Sequence, residues 1–247
     1  MRAHLSVFGA VAFALFALDA AADGLEAAQA AFDHGRFLEA AELAEAEAGA
    51  DGLALAAEAL TVEGYFRSPE DQRQPLLTRA VALAGRAIEA DPANARAHLA
   101  SARAMGRYAQ TIGVLEALNE GYAGRIRAAL DQALALDPDL VAALLSLGAW
   151  HAEIVATLGI MAGVVYGASE KEALAHYERA LALAPDSAAA NLEYAIGLLK
   201  LDDDEETVAR ARARALLAHA LAVPVEDAYG EIVRERAARR LAQLDGG

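Results

Sequence analysis

A six-residue phrase returns three times at nearly constant distance. It reads Ala-Ile-Glu-Ala-Asp-Pro over 87–92, Ala-Leu-Ala-Leu-Asp-Pro over 133–138 and Ala-Leu-Ala-Leu-Ala-Pro over 180–185, with the prolines 46 and 47 residues apart. Repetition at such a period restricts the chain to a stacked array, because a unit this small buries its apolar face only against its neighbours. Ahead of each proline, side chains recur at intervals of four and then three: Ala80, Ala84, Ala87; Ile126, Leu130, Ala133; Ala173, Tyr177, Ala180. That spacing predicts one apolar stripe on a helix. The proline forbids continuation of the helix and suits the first turn of the next. A shortened copy carries Ala213, Leu217, Ala220 and Pro224, and a degraded first copy starts at Gly35 and carries Ala40 and Ala44.

These stripes resemble the second helix of tetratricopeptide repeats, over roughly residues 25–225. The usual unit is ~34 residues, so the central units hold roughly 12 more, a little over three helical turns, which predicts a longer first helix. The additions are themselves alike, since Thr111-Ile112-Gly113-Val114 returns as Thr157-Leu158-Gly159-Ile160. The expected fold is all-α, a right-handed α-solenoid of tetratricopeptide-like helix pairs with lengthened first helices in the central units, about eleven helices in all. Together with Ala97-His98-Leu99 through Gly106-Arg107-Tyr108, Gly148-Ala149-Trp150-His151 and the Asp-Pro helix ends, this pattern resembles two families. One contains the T-component of TRAP transporters, and the other is the regulator-of-microtubule-dynamics family. The first resemblance implies an accessory role in transport and a pore for an apolar ligand.

Residues 1–22 read differently. Arg2, the apolar run from Leu5 to Leu18 and the small residues Ala20–Ala22 have the layout of a secretory signal peptide, cleaved near Asp23. A bilayer span needs ~20 apolar residues, so this shorter run predicts no stable membrane insertion. One helical repeat domain, 23–247, is expected in the periplasm, and with no cysteine anywhere it is neither a lipoprotein nor disulfide-bonded. Cleavage removes Arg2 and Asp19 together, so the net charge of −15 is unchanged. Such an acidic chain repels nucleic acid and anionic lipid.

The sequence offers no catalytic residue, cofactor motif or metal site. The six histidines form no His-x-x-x-His pair, and no glycine-rich loop is followed by Lys-Ser/Thr. The run from Asp202 to Glu206 sits where a helix should begin and is read as acids at a positive dipole end. Trp150 and Tyr108 are read as core. Two other features stand out. Glycines 159, 163 and 167 punctuate the apolar segment from Ile154 to Val165, which predicts close helix packing, with a subunit interface or an apolar ligand channel as alternatives. Aligning the repeats on their prolines also places Arg96, Leu99, Arg103 and Arg107 on one first helix, opposite Ala142, Leu145, Ala149 and Glu153 on the next. Arg96, Arg103, Arg107 and Glu153 are therefore the candidate partner-binding residues, because a guanidinium fork receives a carboxylate in bidentate fashion. The competing account pairs the arginines with Glu89, Glu116 or Glu153. The expected function is a non-enzymatic protein-interaction module, accessory to a transport system, whose partner is a periplasmic solute-binding or transporter subunit. The alternative is a small apolar or carboxylate ligand in a tunnel between the long helices.

Overall fold

The computed structural model describes residues 24–47, 49–202 and 208–246, and the described residues contain helices and no strands. The signal-peptide segment and most of the acidic run fall outside them. The helices are α1 (24–33), α2 (Phe37–Ala46), α3 (Ala50–Val62), α4 (Glu70–Ala90), α5 (Ala95–Ile112), α6 (Val114–Asn119), α7 (Tyr122–Leu136), α8 (Val141–Leu158), α9 (Met161–Tyr166), α10 (Glu170–Leu183), α11 (Ala188–Leu201), α12 (Val208–Ala222) and α13 (Ala228–Asp245). Five pairs, α1/α2, α3/α4, α5/α7, α8/α10 and α11/α12, stack as an α-solenoid, with α13 as the last layer.

The prolines end helices as their chemistry requires. α4, α7, α10 and α12 stop at Ala90, Leu136, Leu183 and Ala222, each two residues short of its proline. The residue before a proline is pushed out of the helical region, and Asp91, Asp137 and Ala184 have φ of −148°, −135° and −139°. Asn94 and Ser187 then cap the next helices by accepting from Ala97 N–H and Ala190 N–H. The stripe residues Ala80, Ala84, Ala87, Leu130, Ala133, Ala173, Tyr177 and Ala180 are buried, as are Ala213, Leu217 and Ala220.

The additional residues of the central units are spent in two ways. α5 and α8 have 18 residues each, against 13 in α3 and 14 in α11. The rest forms the separate short helices α6 and α9, which brings the described helices to thirteen rather than eleven. The cause is the repeated Thr-x-Gly: Gly113 and Gly159 have φ of +90° and +54°, a left-handed conformation that breaks the long helix and that only glycine adopts freely. The expectation of close packing at glycines 159, 163 and 167 is accordingly corrected. A β-carbon at Gly163 would meet only the Ala168 carbonyl, at 3.7 Å, and the others would meet nothing. Two of these glycines serve turns.

Close packing occurs elsewhere, around the fully buried Tyr177. Its ring lies between Gly148 on α8 and Gly197 on α11, where added β-carbons would sit 3.1 Å and 2.3 Å from it. A ring held on all sides cannot yield. Gly197→Ala is therefore expected to lower stability by up to about 2 kcal/mol net, overpacking at the upper end of its ~1–3 kcal/mol range exceeding the gain in helix propensity (~1 kcal/mol). Gly85→Ala, with open space around the added methyl, should instead raise stability by up to ~1 kcal/mol. Thermal melts of opposite sign check both, and a Gly197→Ala melt at or above wild type refutes the packing argument.

Candidate functional site

Two of the four candidate residues meet on the face lined by the first helices of the stacked pairs, its inner face. Arg103 and Arg107 stand one turn apart on α5. The Arg103 guanidinium is ion-paired with Glu58 on α3 and donates to the Tyr229 hydroxyl on α13 at 3.1 Å. Arg107 lies 4.1 Å above the Tyr65 ring and 5.3 Å from that of Phe66. Those two rings meet edge to face, 4.9 Å apart, on the π-helical turn Glu63–Arg67 that finishes α3. One extra residue in such a turn re-aims the side chains that follow. Here Ser68 donates to Glu63 at 2.9 Å and ends the turn in extended backbone.

The opposite wall comes from the C-terminal layers. Arg236 on α13 donates to Glu193 on α11 at 2.8 Å and lies 5.3 Å from the Phe66 ring. α13 reaches across the inner face. Its Ala228 approaches the α1–α2 turn at Gly35, Ile232 joins the N-terminal apolar cluster, and Val233, Ala237 and Leu244 join the C-terminal one. The inner face is therefore a short, walled patch in place of an open groove.

Charge within this patch is unbalanced. Three guanidiniums, Arg103, Arg107 and Arg236, share two carboxylates, Glu58 and Glu193. Burial opposes the Glu193 carboxylate, but the guanidiniums of Arg236 and Arg107 outweigh it and hold its pKa below the ordinary range. Burial likewise opposes charge on Arg103, and Glu58 beside it more than compensates, holding it above the usual arginine value. Arg107 goes the other way. Its pKa is lowered by burial, with Arg236 adding to the effect, and its only side-chain hydrogen bond goes to Gln110 at 3.3 Å. It is the one cation of the cluster with no carboxylate at ion-pair distance among the described residues.

The other two candidates lie apart. Arg96, at the exposed start of α5, has no described hydrogen-bond or ion-pair partner, and Glu153, half exposed on α8, is paired with Lys200 on α11. Leu99 and Leu145 are core, as is Trp150, whose Nε1 donates to the Ala123 carbonyl at 2.9 Å. Tyr108 packs half-buried on Tyr122, ring centres 5.5 Å apart. Neither Glu89 nor Glu116 is the partner of Arg103.

Repeat spacing holds the signal that finds the true partners. Glu58 and Arg103 are 45 residues apart, Glu153 and Lys200 47, and Glu193 and Arg236 43. A carboxylate on one first helix thus meets a cation about one period later. Glu193 belongs to such a pair, whereas helical glutamates are ordinarily solvated. Tyr65, Phe66 and Tyr229 lie outside the proline-marked register and carry no comparable signal.

A family model described as RMD1-3, regulator of microtubule dynamics protein 1-3, matches residues 22–245. Among solved structures, the fold is similar to that of TTC0263, a thermophilic TPR protein in Thermus thermophilus, at a TM-score of 0.63 and 18% identity, covering 90% of this chain and 98% of that one. No curated protein is significantly similar in sequence.

Proposed function

The chain belongs to the regulator of microtubule dynamics protein 1-3 family, and from that tetratricopeptide-like fold we propose that it works by binding a partner through a carboxylate received at Arg107. The observation that carries this reading is the unequal charge of the inner face. An incoming carboxylate would bring the three guanidiniums to parity, with the Arg107 guanidinium already resting against the Tyr65 and Phe66 rings. The short, walled patch fits the end of an acidic segment or a single acidic side chain better than an extended peptide. No reaction belongs to this reading.

Arg2, the apolar run behind it and Ala20–Ala22 support export to the periplasm. Resemblance to the T-component family supports service beside a solute-binding or membrane subunit of a transporter. An apolar tunnel has less behind it. A cleft of about 390 Å³ lies among the starts of α1 and α3 and the α4–α5 turn, with Asp51, Asp91 and Asn94 in its lining, and no residue of α8 borders it.

A rhodamine-labelled hexaglutamate peptide, followed by fluorescence anisotropy, tests the reading. Long-range electrostatics oppose its approach to a chain of net charge −15, so binding that weakens with added salt requires a local cationic site. Absence of binding at millimolar protein would refute the proposal.

A further inference from the structure

The twin inserts α6 and α9 expose apolar side chains that the fold does not use. Val114 and Leu115 on the first are 57% and 79% exposed, and Ile160, Met161, Val164 and Val165 at the second are 94%, 48%, 79% and 56% exposed. Six of the ten exposed large hydrophobics of the described residues thus fall on two six-residue helices and the residue that opens one of them. Each insert starts and ends on a glycine with positive φ, Gly113 and Gly121 for one, Gly159 and Gly167 for the other. Both are moored to the same apolar cluster, α6 through Leu118 and α9 through Ala162 and Tyr166. Apolar clustering of this kind on a soluble fold marks an interaction surface.

Its occupant is constrained by charge and by backbone. Residues 159–168 contain no charged side chain, while Glu116, Glu120, Glu170 and Glu172 border the ridge without an ion pair among the described residues and outnumber the one cation between them, Lys171. A second copy of this chain would bring two such rims together, and an anionic bilayer meets the whole net charge of −15. A helical ridge also has no open backbone edge, so an extended strand gains nothing by pairing with it; side-chain packing by a helix is the mode left. We propose that the α6/α9 ridge docks an amphipathic helix of a partner whose apolar face is flanked by lysines or arginines. Ile160 and Val164, one turn apart, are its central contacts.

The probe is a synthetic eighteen-residue helix of leucine and lysine, titrated by anisotropy against a control peptide with serine in place of leucine. The expected result is binding of the leucine peptide alone, weakened at least tenfold by Ile160→Ser/Val164→Ser and unchanged by Arg107→Met, which separates this surface from the inner face. Circular dichroism confirms that the variant is folded, and Leu115→Ser replaces it should α9 fail to form. Equal affinity in wild type and variant overturns the proposal. So does a dimer in light scattering, or sedimentation with phosphatidylcholine vesicles, that the same substitutions abolish, because the ridge then belongs to another occupant.

Discussion

Glu193→Gln is expected to lower the unfolding free energy by about 3 kcal/mol, because it removes one charge of a largely buried pair and leaves the other behind. The Glu193 and Arg236 side chains are only 21% and 18% exposed, so solvent screens the loss little. Arg107 and Arg103, both drawn toward the same carboxylate, lose a counter-charge as well. The physical content lies in the comparison with Glu193→Leu/Arg236→Met. Replacing both partners with apolar groups of similar size relieves the desolvation of each, so this double variant should recover most of the loss. Urea unfolding of the three proteins decides it. A single variant within about 0.5 kcal/mol of wild type would mean that the pair behaves as a surface ion pair.

Acidification should cost about as much, through His151. This imidazole is 1% exposed at the seam of α7, α8 and α10, accepting at Nδ1 from Ser169 N–H at 3.2 Å, with an Arg127 nitrogen 3.3 Å from Nε2 and the His176 ring stacked at 5.6 Å. Burial first, then Arg127 and His176, bring its pKa from 6.5 down to about 4, Glu172 and Asp131 pulling weakly the other way. The unfolded chain therefore takes up a proton near pH 6.5 that the folded one refuses until about pH 4. Stability is full above the upper value, falls as pH drops through the interval and levels off below it, for a total of about 3 kcal/mol at ~1.4 kcal/mol per pKa unit. His176, also lowered by burial, acts in the same direction. Carboxylates titrate as well, so the informative quantity is the difference between wild type and His151→Gln at pH 7 and near pH 4.5. Parallel loss in both proteins would show that His151 is not responsible.

The repeated Asp-Pro ends made the helix pairs legible, because proline restricts its own φ and that of the residue before it whatever the tertiary context. Buried stripes followed from the same register. What the register misled about was glycine. Spacing every fourth residue suggested close packing at 159, 163 and 167, yet conformation decided two of those positions, and the tight contacts went to Gly148 and Gly197, where Tyr177 needs room. Of the candidate residues, the placement of Arg103 and Arg107 one turn apart on α5 followed from helical phase alone. Arg96 shares that phase but lies two turns away at the helix start, and Glu153 takes its cation from the following layer, at Lys200. α13 closed the inner face without any repeat motif to announce it, since a last layer stacks by apolar matching and lacks the proline that ends the others.

Arg107 tests the account most directly, because burial opposes its charge and no carboxylate lies at ion-pair distance from it among the described residues. Arg107→Met keeps the apolar stem against Tyr65 and Phe66 and removes only the charge, which also relieves the repulsion from Arg236. Affinity for the hexaglutamate peptide and the urea midpoint should be measured on wild type, Arg107→Met and Arg96→Met. The account predicts at least a tenfold loss of affinity for Arg107→Met, with a midpoint equal to or above wild type, and no change in either quantity for Arg96→Met. Retained affinity together with a lowered midpoint in Arg107→Met would contradict it, assigning Arg107 to the scaffold instead of to a partner.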